Sequence, residues 1–280
     1  MDPDPLRPGD PGDDIGSPRS AAAFFDLDKT ILAKSSTLAF TRKMYKGGLI
    51  GRSDAIKAAY GQFVYIMSGA DHEQMEQARV YLSSLVKGWP VARVQEIVSE
   101  AMEAIVDPIV YSEALDLFEE HHAAGRDVII ISSSGTEVVE PIGQRLGADL
   151  AVGTQMAVEE GAYTGEILFY AYGEQKAEAI RALADERGYE LADCYAYSDS
   201  HTDLPMLEVV GHPVPTNPDS ELREIAEERE WPTLKFSKPT AMRTPLETKE
   251  GRRVAAMALG SAVAVGLAWY ARRRAGGRAG

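Results

Sequence analysis

Asp26 and Asp28 are the residues of this chain best placed to do chemistry. They lie one residue apart in Asp26-Leu27-Asp28-Lys29-Thr30, directly after the apolar run Ala21-Ala22-Ala23-Phe24-Phe25. Such a run reads as a buried strand. Side chains alternate along a strand, so both acids fall on one side of the pleat and Leu27 on the other. Two carboxylates held at the edge of a core suit a divided task, one attacking and the other passing protons. A turn or a helix N-cap would use the same residues, so the rest of the chain has to decide.

Three further segments supply partners. Asp127-Val128-Ile129-Ile130-Ile131 reads as a central strand and ends in Ser132-Ser133-Ser134-Gly135 before a helix begins at Thr136. Hydroxyls and free amides at a helix start can seat a phosphate, or serve as an ordinary Ser-rich cap. Gly173-Glu174-Gln175-Lys176 opens another helix. A lysine in a first turn opposes the macrodipole, so either solvent or a nearby anion must compensate. Finally, Cys194-Tyr195-Ala196-Tyr197-Ser198 gives out into Asp199 and Asp203 around one tight loop. Together with Asp26 and Asp28 these acids would make a four-carboxylate cluster. That cluster is costly without a hard cation, and carboxylate oxygens beside a phosphate suit Mg²⁺.

In order, spacing and strand context, the four segments resemble the haloacid dehalogenase-like phosphatases, and most of all their phosphoserine-phosphatase-like branch. The resemblance spans roughly residues 21 to 236. It implies that Asp26 is the nucleophile that becomes an aspartyl phosphate. Asp28 is then the acid that protonates the leaving group and the base that activates water. Thr30 braces the loop, Ser132 and the Ser133 amide hold the transferring phosphoryl group, and Lys176 neutralises the phosphate and Asp26. Mg²⁺ is held by Asp26, Asp199 and the backbone carbonyl of Asp28, with Asp203 supporting the metal or Lys176. Phosphoryl transfer asks a protein mainly for positioning and charge neutralisation, and this set of residues offers both.

Three positions depart from the branch's pattern. The glutamate that meets the amino group of phosphoserine is replaced by Ser35, the usual Ser-Gly-Gly is Ser132-Ser133-Ser134, and the usual asparagine before the last acid is Thr202. The first argues against phosphoserine as substrate.

The 280 residues suffice for one α/β domain with an inserted module. A net charge of −14 excludes the broad basic field that nucleic acid requires. One cysteine, Cys194, rules out an internal disulfide and suits a reducing compartment. Residues 1–20 are acidic and rich in Pro and Gly, which predicts a disordered tail without a secretory signal. Residues 21–236 form the expected phosphatase domain, a doubly wound parallel sheet with a helical cap inserted at 32–122. Apolar stripes at helical spacing mark the cap, among them Tyr60, Phe63, Val64 and Met67, and later Val94, Ile97, Val98, Met102 and Ile105. Residues 151–158 and 163–168 read as a β-hairpin. His201 is expected to be a solvated loop histidine.

Beyond a linker at 237–253, residues 254–270 carry no charge, with Arg252-Arg253 before them and Arg272-Arg273-Arg274 in the basic tail 271–280. A spanning helix needs roughly 20 apolar residues, with about 17 as the lower bound, so this stretch is expected to cross or lie on a membrane. The catalytic domain would then sit on the cytoplasmic side. The reading as a whole is a Mg²⁺-dependent hydrolase of small phosphorylated metabolites or lipid-derived phosphates. Its alternatives are a phosphotransferase of the same fold and a non-catalytic, membrane-tethered binding protein.

Overall fold

The structure is a computed structural model and describes residues 20–51, 83–237 and 239. Six strands, β1 (Ala22–Phe25), β2 (Asp127–Gly135), β3 (Leu150–Glu159), β4 (Ala162–Phe169), β5 (Tyr195–Ser198) and β6 (His212–Pro215), form one sheet in the order β4-β3-β2-β1-β5-β6. Pairing is parallel from β3 through β6, while β4 runs antiparallel to β3. The parallel sheet expected from the sequence is therefore a mixed one. The predicted hairpin is what adds the antiparallel edge.

Both faces of the sheet are covered, as strands of unbroken apolar character require. Ala22 and Phe24 of β1, with Ile129 and Ile131 of β2, pack into one core with Ile180, Leu183, Met206 and Leu222. Ala23, Phe25, Val128 and Ile130 point into the other, with Val94, Ile97, Phe118, Val139 and Ile142. The period of two along each strand thus divides the interior between two helix layers.

The described helices are α1 (Ser36–Lys46), α2 (Val91–Ala101), α3 (Ser112–Ala123), α4 (Thr136–Leu146), α5 (Glu174–Arg187), a short α6 (Leu204–Glu208) and α7 (Ser220–Glu228). The helical pattern predicted after β1 is present in α1 and α2. The Tyr60–Met67 stripe lies outside the described residues. The chain leaves and re-enters the sheet through a narrow neck, where the Ala33 amide donates to the Ile109 carbonyl (2.7 Å) and the Tyr111 amide to that of Ile31 (2.9 Å). Next to the neck, Arg145 of α4 grips Asp107 with two hydrogen bonds of 2.5 Å. The expected cap span takes in α3, yet α3 lies on the sheet, its Phe118 ring 4.8 Å from that of Phe25. Helical periodicity is the same whichever layer a helix joins, so the pattern did not separate α3 from the cap.

After α7 the chain returns across the end of the sheet. The Phe236 amide donates to Asn217 Oδ1 (2.9 Å) and the Ser237 amide to Glu113 Oε1 (3.0 Å). Residues 1–19, most of the linker and the apolar stretch 254–270 lie outside the described residues. Among the described residues no helix is long and apolar enough to cross a membrane.

Beneath the sheet's core sits a polar pair that patterning did not predict. His121 of α3 is buried, its Nδ1 accepts from Arg126 Nε (2.7 Å), and its Nε2 therefore carries the proton that bonds Tyr197 Oη (2.8 Å). Burial first, then the Arg126 charge, holds its pKa down at about 4 against an ordinary 6.5. The unfolded chain accepts a proton near pH 6.5 that the folded chain refuses until about pH 4. Acidification through that window therefore destabilises the fold. In urea titrations the wild type is expected to lose stability relative to His121→Gln across the window, while the two run parallel above pH 7.

Candidate active site

Every sequence-predicted site residue lies at or just beyond the carboxyl end of a strand, or in the first turn of the helix that follows one. At the end of β1, the Asp26 amide still bonds the Tyr197 carbonyl of β5 (2.9 Å), which fixes the acid to the sheet. The chain then closes a single turn, with the Ile31 and Leu32 amides both reaching the Leu27 carbonyl at 3.0 and 2.9 Å. Lys29 takes a left-handed conformation (φ 63°) to allow it. For a residue with a Cβ this costs on the order of 1–3 kcal/mol, the kind of strain that sites retain.

The two acids take different hydrogen-bond partners. Asp26 meets α5, where Lys176 Nζ lies 2.6 Å from its Oδ1. Asp28 instead meets the start of α1, accepting the Ser36 amide at 2.8 Å.

A break in pairing shapes the second loop. β2 and β3 are in register at Ile131 and Val152 and meet again at Gly135 and Thr154. Ser132, Ser133 and Ser134 thus oppose Gly153 alone. Such a bulge re-aims side chains beside active sites. Ser132 and Ser134 are buried, Ser133 is exposed, and the Ser133 carbonyl accepts from Thr154 Oγ1 (2.7 Å). The Ser134 amide turns back onto Ser132 Oγ at 3.2 Å. Gly153 has to lack a side chain, since a Cβ there would come within 2.7 Å of the Thr136 backbone and 2.9 Å of the Ser134 carbonyl.

Lys176 stands in the first turn of α5, behind Gly173 (φ 56°, ψ −128°), a conformation that only glycine adopts without strain. The Lys176 side chain is 2 % exposed, and its ammonium also reaches Asp203 Oδ2 at 2.8 Å. Asp203 takes a second hydrogen bond from Ser198 Oγ (2.7 Å). Asp199 faces Lys29 Nζ at 3.7 Å. Burial pulls the Lys176 ammonium down, but Asp203 and Asp26 outweigh it and its pKa rises. Burial raises Asp26 well above the ordinary carboxylate range despite Lys176, with Asp203 and Asp199 adding repulsion. Burial likewise lifts Asp199 to about 7, and Asp28 shifts upward for the same reason.

Asp26, Lys176 and Asp203 are therefore in direct contact, and Asp199 is close enough to repel both of those acids. Asp28 reaches the Ser132 loop through Ser36, whose hydroxyl bonds that of Ser134 (2.8 Å). Thr30 is buried, and its Oγ1 has no hydrogen-bond partner among the described residues. His201 is a half-buried loop residue bonded to Asp219 (Nδ1 to Oδ2, 3.2 Å). Ser36, Ser134, Ser198 and Lys29 were not singled out from the sequence. The run Ser35-Ser36-Thr37 at a helix start was the signal that could have found the first.

The four acids do not form one open cluster. Among the described residues no three metal-ligating side chains converge, because Asp203 is taken by Lys176 and Ser198 and the Asp28 carboxylate by α1. Mg²⁺ asks for less, one or two carboxylates with water and substrate oxygen completing its shell. Asp26 Oδ2 has no hydrogen-bond partner among the described residues, and Asp199 has only a distant ammonium. The Asp26 and Asp199 carboxylates, buried and mutually repelling, fit such a cation.

Residues 23–208 match the family model described as haloacid dehalogenase-like hydrolase. The chain belongs to that family. It is 55 % identical to the "Inhibition of morphological differentiation protein" of Streptomyces azureus, over 92 % of this chain and 95 % of that one. A protein of Mycobacterium tuberculosis named as a probable phosphatase is 51 % identical, over 91 % of this chain and 90 % of its own. A phosphoserine phosphatase of the same organism is 31 % identical over 89 % and 78 %. Among solved structures, a protein of unknown function from Bordetella pertussis Tohama I superposes with a TM-score of 0.68 at 27 % identity, covering 76 % of this chain and 97 % of that one.

Two substitutions test the local geometry. Gly153→Ala is expected to lower stability by about 1–3 kcal/mol in a denaturant titration, the usual cost of overpacking. Thr30→Val should leave stability unchanged or raise it by up to about 1–3 kcal/mol, since it removes an unsatisfied buried hydroxyl at constant shape.

Proposed function

We propose that this hydrolase cleaves a small phosphomonoester in two steps through an aspartyl phosphate on Asp26. One observation supports the reading above others: Lys176 Nζ lies 2.6 Å from one oxygen of Asp26, and the second oxygen has no protein partner among the described residues. A buried carboxylate held by one oxygen and open at the other is arranged as a nucleophile.

With Asp28 protonated, Asp26, Asp199 and Asp203 against Lys176 and Lys29 leave a formal excess of one negative charge at this end of the sheet. A phosphate dianion would be repelled by that excess. Mg²⁺, held by Asp26, Asp199 and the backbone carbonyl of Asp28, would supply the missing positive charge when bound. Lys176 holds Asp26 in place and faces the incoming phosphoryl group. Ser132 and the Ser133 amide line the seat for its oxygens.

In the first step Asp26 Oδ2 bonds to phosphorus and the bond to the leaving oxygen breaks. Asp28, whose burial favours its protonated form, gives its proton to that oxygen. In the second step a water attacks phosphorus while Asp28, now a carboxylate, takes the water's proton. Phosphate leaves and Asp26 is restored.

For substrate, Ser35 offers no charge to an ammonium, which argues against phosphoserine. Small phosphorylated metabolites and lipid-derived phosphates both remain within the proposal. The uncharged stretch 254–270 with flanking arginines favours the second, at a membrane surface.

With Mg²⁺, the purified protein is expected to release phosphate from p-nitrophenyl phosphate, to lose that activity in EDTA and to regain it when Mg²⁺ is restored. Asp26→Asn should reduce release by a factor on the order of 10³ or more, since covalent catalysis is lost. Equal release by the variant and the wild type would remove the hydrolase reading.

A further inference from the structure

We propose that Ser36 is a positioning residue for leaving-group protonation, holding Asp28 against the start of α1 and tying α1 to the Ser132 loop through Ser134. The inference rests on the reading of Asp28 as the acid of the reaction and adds the element that aims it. Ser36 is the first residue of α1 and is fully buried. Its amide is one of the unpaired donors that every helix start exposes, and here it is spent on Asp28 Oδ1 at 2.8 Å. The positive end of the helix faces the carboxylate and favours it. The hydroxyls of Ser36 and Ser35 also face Asp28.

The same Ser36 hydroxyl lies 2.8 Å from Ser134 Oγ, which Thr37 Oγ1 approaches at 3.3 Å. Ser134 in turn gives its amide to Ser132 Oγ. One continuous set of hydrogen bonds thus runs from Asp28 through Ser36 and Ser134 to the serine assigned to the phosphoryl oxygens. If α1 shifts, the acid and the seat for the phosphoryl group lose their mutual placement, and a misplacement of about 1 Å can cost on the order of 10² in rate.

A leaving group that needs a proton will feel this, and one that does not will feel it less. The test is the rate of phosphate release from p-nitrophenyl, phenyl and ethyl phosphates, whose leaving groups become progressively more basic. It is run on wild type, Ser36→Ala, Ser36→Thr and Ser134→Ala. For Ser36→Ala, the loss in kcat is expected to grow along the series and to exceed the loss on p-nitrophenyl phosphate by on the order of tenfold with ethyl phosphate. Ser36→Thr, which keeps the hydroxyl, should recover most of that difference. Ser134→Ala should show the same trend more weakly, and it tests the proposal if Ser36→Ala does not fold. Losses equal across the three esters would mean a merely structural role and overturn the proposal, as would a threonine variant no better than alanine. A wild type inactive on all three esters with Mg²⁺ present would instead sink the hydrolase reading itself.

Discussion

A buried ammonium shared by two buried carboxylates holds this site together. Lys176 satisfies Asp26 and Asp203 at once, and each of the three is nearly closed to solvent. Charges taken out of water are expensive, and a pair or triad recovers the cost only with short contacts and further hydrogen bonds. The Ser198 hydroxyl on Asp203 and the sheet-bound amide of Asp26 supply part of what is needed. The triad still carries one negative charge too many, and Asp199 adds another nearby. This imbalance is a reason to read the site as built for something positive and something to be attacked, since a purely structural ion cluster would be closer to neutral.

The sheet makes such a concentration of charge possible. Parallel strands end together, and loops that leave their carboxyl ends converge whatever their separation along the chain. β1, β2 and β5 are adjacent, so Asp26, the serine loop and Asp199 are neighbours although more than a hundred and seventy residues separate the first from the last. The apolar cores on both faces lock the strands in register and leave the loops to be shaped locally. Where the loops deviate, the deviation has a cause that can be named: a left-handed Lys29, a bulge opposite Gly153, and Gly173 turning the chain into α5. The neck that pairs residues 31–33 with 109–111 then links the sheet to α1, whose first amide ends on Asp28.

Much of this was legible in the residues. Apolar runs ending in acids or hydroxyls placed β1, β2 and β5, and the interrupted alternation around Glu159-Glu160-Gly161 gave the hairpin as observed. Lysine in the first turn of α5 was anomalous for the helix dipole, and its resolution is the pair of carboxylates it meets. The same reasoning erred where a local signal has two tertiary outcomes. α3 has the pattern of a cap helix and packs on the sheet.

What the sequence determined by itself was the order of the elements and which residues could do chemistry, because strand and helix periodicity and the acid–base character of side chains are local properties. Only the tertiary structure decided which acids share Lys176, that the Asp28 carboxylate meets the start of α1, and that the buried Thr30 hydroxyl has no partner among the described residues. Those outcomes depend on where loops from distant parts of the chain meet and on how little water is left between them. Neither quantity is encoded in any short stretch of residues.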